Sequence, residues 1–196
     1  MRQVLGKWHP KWTVTKFHDT DDTVAKWKAN GHSAFETAIV FKDKVFEIKK
    51  FEFNGLTQTG ANLIWNLLIN NLTTIPFNNV NARLGASADT TAFFETQTNL
   101  NPSNSSTYYM QIMDAGYPQI SASPGTQLIF ESTFNSTTAL MEWQSFGVDN
   151  DGIDGPGTTI TSYFPNTIGL LNRYVQDVGT KVAGDTWILT LVLEIT

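Results

Sequence analysis

The sequence predicts a mainly β protein: an antiparallel, jelly-roll-like β-sandwich with one or two short helices and an extended N-terminal arm. Three observations carry this. From Pro76 onward, short apolar runs alternate with loops rich in Asn, Thr, Ser, Gly and Pro, the punctuation of an all-β chain. The run Thr186–Ile195 is the strongest strand signal, with Trp187, Leu189, Leu191 and Leu193 on one face and Ile188 and Val192 on the other. Such a strand suits a sheet covered on both sides. Helical periodicity is confined to Ala61–Ile69, where Leu63, Ile64, Leu67 and Leu68 share a face opposite Asn62, Asn66 and Asn70.

Taken in order, residues 1–36 mix Trp8, Trp12, Phe17 and Trp27 with charges and show no countable period, which predicts an arm anchored by aromatics. Residues 37–196 are assigned to the sandwich. Ile39-Val40-Phe41, Val45–Ile48 and Phe51–Phe53 read as strands around a Lys-Asp-Lys turn. Further strands are expected over 82–85, 107–113, 127–134, 139–148 and 187–195, and a second short helix over 170–178. With 196 residues, 41% hydrophobic and 12% aromatic, one domain has ample apolar area to form a core.

The chain has no cysteine, which excludes disulfides, thiolate metal sites and cysteine nucleophiles. Its first residues lack the apolar run of a signal peptide, and no stretch approaches the ~20 apolar residues of a membrane span, so synthesis in a reducing cytoplasm without membrane insertion is expected. Residues 1–52 hold ten of the thirteen Lys and Arg against seven acids, a net of +3, and the remainder carries −8. This asymmetry directs an acidic partner to the N-terminal part, unless it is simply a solvated face. On the arm, Lys7, Trp8, Lys11, Trp12, Lys16 and Trp27 are the candidate partner-binding residues. The acidic remainder argues against nucleic acid.

No nucleophile elbow, zinc-protease helix motif, phosphate-binding loop or dinucleotide fingerprint is present, and all three histidines fall in the arm, so an enzyme is not expected. Asp149, Asp151 and Asp154, spaced by glycines, offer hard oxygen ligands of the kind Ca²⁺ takes; the competing account is a glycine turn whose Asp side chains bond their own backbone. No other cofactor is indicated. Arg83, one of three basic residues beyond position 52, suits a bidentate ion pair with Glu142, or else Asp114. Trp143 and Trp187 on strands are the residues that would stack on a sugar in a carbohydrate- or receptor-binding module.

Several phrases carry a resemblance: Asn54-Gly55 leading to Gly60-Ala61-Asn62-Leu63, Asn81-Ala82-Arg83-Leu84-Gly85 with Asp89, Met113-Asp114-Ala115-Gly116-Tyr117-Pro118, and Glu142-Trp143 leading to Phe146-Gly147-Val148. Leu171-Asn172-Arg173, Gly179-Thr180-Lys181 and Thr186–Leu189 continue it. Over roughly residues 54–196 the chain resembles small virion structural proteins of tailed bacteriophages. The resemblance implies a non-catalytic capsid decoration (cement) protein that binds the major capsid protein or other virion proteins, otherwise a neck or tail accessory. Local three-fold sites on a shell would favour a trimer.

Overall fold

A computed structural model describes residues 8–52, 55–68, 76–79, 81–100, 107–122, 127–150 and 170–195. Among the described residues nine strands and three helices follow in the order β1 (Trp8–His18), α1 (Thr23–Ala29), α2 (Ala34–Val40), β2 (Val45–Glu52), α3 (Gln58–Leu68), β3 (Arg83–Ser87), β4 (Tyr108–Ile112), β5 (Gln119–Ile120), β6 (Gln127–Phe134), β7 (Glu142–Asp149), β8 (Asn172–Thr180) and β9 (Asp185–Ile195). They form two antiparallel sheets, β2-β1-β9-β6-β5 and β4-β3-β7-β8, the sandwich expected from the sequence.

The core lies between the sheets. Along β9, Trp187, Leu189, Leu191 and Leu193 point inward with Phe130 and Phe134 of β6 and Trp12 and Val14 of β1, and they meet Leu84, Ala86, Trp143, Phe146 and Val148 of the facing sheet. Trp143 packs edge-on against Phe134 at 4.7 Å and Trp187 at 4.9 Å between ring centroids. This geometry sets each positive ring edge against a negative face.

From Trp8 onward the N-terminal segment is not an arm. β1 is an interior strand, paired with β9 from Trp8 to His18 and with β2 from Lys11 to Phe17. Its period of two is present in the sequence, with Trp12 and Val14 inward and Thr13, Thr15 and Phe17 outward, but Lys16 masks it by occupying an inward position. The Lys16 ammonium stays satisfied there by Glu47, the Val178 carbonyl and the Trp187 ring at 4.3 Å.

Two further expectations are corrected. Ile39-Val40 belongs to helix α2, which opens with a capping box: the Glu36 N–H donates to Ser33 Oγ at 3.2 Å, and the Ser33 N–H donates to Glu36 Oε2 at 2.9 Å. The helix expected over 170–178 is strand β8, where pairing with β7 overrides a pattern too short to specify a helix.

The α1–α2 hairpin lies on the outer face of the five-stranded sheet, packing Val24 and Ala34 on Phe17 and Ile188. Buried Asp19 fastens it: its carboxylate accepts the Val24 and Ala25 N–H groups at 3.1 and 3.2 Å, the Thr186 hydroxyl at 2.9 Å and the Lys44 ammonium at 3.2 Å. Helix α3 docks on the start of β8 through Gly60, where a Cβ would stand 2.1 Å from the Leu171 carbonyl oxygen.

Candidate functional site

The helices cover only part of the outer face. Between α2 and the sheet lies an open cleft of about 310 Å³. Its floor contains a polar row one register wide, Lys50 of β2, Thr13 of β1, Thr190 of β9 and Glu131 of β6, each opposite the next. Its sides are apolar, with Phe35 and Ala38 from α2, Ile48 from β2, and Ile129 and Val192 beyond the row. Phe35 is 75% exposed and Ile48 47%, and Ile39, one helical turn on from Phe35, is 58% exposed. At the start of β2, exposed Phe46 stacks on His18 at 4.1 Å.

A buried ionic cluster closes one end. Lys28 of α1 bonds Glu131, Asp114 Oδ2 at 3.2 Å and the His32 carbonyl at 2.5 Å, which occupies all three ammonium donors. Glu131 also accepts the Ala34 N–H at 3.0 Å and the Thr190 hydroxyl at 3.1 Å, and Asp114 accepts the Thr133 N–H and hydroxyl at 3.0 and 2.8 Å. Burial pushes both carboxyl groups above their ordinary range, against the pull of Lys28. Tyr117, on the wall, has its phenol pushed up by burial and by the Glu131 charge. With every Lys28 donor engaged, the cluster is a clamp that pins the helical hairpin to the sheet.

The residues singled out for partner binding are mostly used inside the fold. Trp12 is 1% exposed in the core and Lys16 is buried, so neither presents a surface to a partner. Trp27 is half-buried, stacked on His32 at 3.8 Å and edge-on to Phe41 at 5.9 Å. Lys11 pairs with Glu194 at 2.5 Å across the β1–β9 ladder. Trp8 opens β1 opposite Ile195, and Lys7 lies outside the described residues. The basic bias of residues 1–52 thus meets acids of its own chain: Glu194, Glu131 and Asp114 from the acidic remainder, and Asp19, Asp21 and Glu47 nearby.

The Arg83–Glu142 pair does not form. Arg83 is buried in β3 directly across from Asp149, whereas Glu142 opens β7 opposite Thr180, roughly 20 Å along the strand. Arg173 instead forms a buried ion pair with Asp89, at 3.1 Å, supported by the Thr91 carbonyl at 2.6 Å and the Ser145 hydroxyl at 3.2 Å. Of the calcium candidates, Asp149 is buried at the end of β7, and Asp151 and Asp154 lie outside the described residues. Among the described residues no three His, Asp or Glu converge on a metal position. Trp143 and Trp187 are core residues, closed to any sugar.

Sequence reasoning misses the cleft because one wall comes from α2, whose branched apolar residues read as a strand. Lys28 gives no signal, being a lysine in an aperiodic segment whose partner lies 103 residues away. No protein-family model, curated protein or solved structure matches the chain. The fold and the cleft together define an antiparallel β-sandwich with an amphipathic surface on one outer face.

Proposed function

We propose that the chain is a non-catalytic structural component of a tailed-bacteriophage particle, a capsid decoration protein that binds the major capsid protein through the α2–β2 cleft. The observation that carries this reading is the gathering of exposed Phe35, Ile39 and Ile48 around one cleft, outside a core that is already filled between the sheets. Apolar side chains gathered around a groove, with a polar floor to fix orientation, suit a polypeptide segment of a neighbouring protein. The resemblance over residues 54–196 supplies the class of neighbour. Attachment passes from an arm to a folded surface, which needs no ordering of a free segment on binding and so avoids that entropic cost.

A carbohydrate- or receptor-binding accessory module is the rival, and it loses the two tryptophans that motivated it to the core. Peptide mass spectrometry on purified particles tests the proposal. The chain is expected in intact particles at copy numbers comparable to the capsid protein. Recovery only from the soluble lysate, or at the few copies of a tail component, would refute it.

A further inference from the structure

We infer that β2 is a self-pairing edge, through which two copies of this chain join their five-stranded sheets into one ten-stranded sheet about a two-fold axis at Ile48. This inference does not depend on the capsid reading. β2 ends the order β2-β1-β9-β6-β5, and among the described residues no strand pairs with its outer side. Its backbone groups there form a template for another strand. An extended edge of this kind is often blunted by charge, and β2 does carry charges, so what matters is their arrangement.

A two-fold axis perpendicular to the sheet pairs identical strands antiparallel and keeps each face on its own side. Residues opposite one another must then come from the same face of β2. The register with β1 is regular from Glu47 to Glu52: Glu47, Lys49 and Phe51 lie opposite inward Lys16, Val14 and Trp12, and Ile48 and Lys50 opposite outward Thr15 and Thr13, whereas a bulge before Glu47 turns Val45 to the outer face beside Phe17. With Ile48 on the axis, Ile48 meets Ile48, and Glu47 of each copy faces Lys49 of the other. At the centre of this pairing each charge meets an opposite charge, and the apolar residue on the axis meets its own copy. The neighbouring face-preserving registers fail at the centre, since one sets Glu47 against Glu47 and the other Lys49 against Lys49. Of these three registers only the one centred on Ile48 is complementary at its centre.

The symmetry places both clefts on the same side of the joined sheet, flanking the axis, so the dimer presents two equivalent sites in one direction. It also makes association at this edge two-fold and not three-fold.

The axis position gives a test specific to the register. Ile48 is half exposed on the outer face, so Ile48→Lys and Ile48→Glu leave the fold intact, which circular dichroism and the melting curve verify. In sedimentation equilibrium the wild-type chain is expected at twice 21.8 kDa. Each variant alone sets like charges against each other on the axis and is expected at 21.8 kDa. An equimolar mixture of the two variants sets the introduced lysine of one copy against the introduced glutamate of the other and is expected to recover the dimer mass. A monomeric wild type at roughly 100 µM, well below the millimolar range of the weakest specific contacts, overturns the inference. So does an oligomer that both substitutions leave unchanged, and so does a mixture that stays monomeric.

Discussion

Lys28 shows how one residue can organise a surface it does not itself present. Its three donors meet Glu131, Asp114 and the His32 carbonyl, and that set holds Glu131 in place to accept the Ala34 N–H at the start of α2. Replacing Lys28 by Met removes the cation and leaves two buried carboxylates facing each other, a change expected to cost about 3–5 kcal/mol near neutral pH. The pH dependence follows from the direction of the carboxyl shifts. Both groups are pushed up by burial even with Lys28 present, and more so without it, so the folded variant binds protons more tightly than the unfolded chain. Stability of Lys28→Met is therefore greatest at low pH and lost as pH rises through the folded values. Urea titrations of wild type and variant at pH 5 and pH 8 check this, the deficit being larger at pH 8. The cluster is illegible in sequence because lysines and carboxylates become partners only when β6 and α1 are brought together. Lys16 is worse than illegible: a cation on the inner face of β1 conceals a strand and produces the reading of an arm.

At the scale of elements, strands flanked by clear punctuation are legible. The run 127–134 is strand β6 as expected, and the C-terminal run is β9, because long alternating apolar stretches have few other ways to be buried. Short segments with branched apolar residues are not. Ala34–Val40 carries Ile and Val that favour strands, yet Ser33 and Glu36 supply a capping box that is present in the sequence and decides for a helix. Because α2 has only seven residues, its cap is a large share of its stability. Ser33→Ala is expected to destabilise the protein by about 1 kcal/mol. It should also raise hydrogen exchange at the Ala34 amide, which Glu131 otherwise protects. Loss of global stability with unchanged Ala34 exchange would mean the cap does not hold this helix in place.

For the whole molecule, the paired central strands β1 and β9 join the two ends of the chain, so the basic first part and the acidic remainder neutralise one another inside the fold. The partner surface proposed here is the outer face of the five-stranded sheet, with its cleft and its open β2 edge. The expected trimer rests on the symmetry of shells, whereas the residues of β2 carry two-fold complementarity, which no reading of composition reveals until the strand is placed at an edge. The sandwich is foreseeable from strand signals. The site is not, because it is built where a helix with strand-like composition meets the outer face of a strand whose sequence reads as an arm.

The account turns on the α2–β2 cleft as the place of attachment. The most direct measurement is co-sedimentation with purified capsid shells of wild type, Phe35→Asp in the cleft, and Trp65→Asp on the exposed side of α3 as a control. Wild type and Trp65→Asp are expected to pellet with shells alike, and Phe35→Asp to lose at least about tenfold in affinity, roughly 1.4 kcal/mol, while melting as the wild type does. Equal binding by Phe35→Asp and wild type would contradict the account.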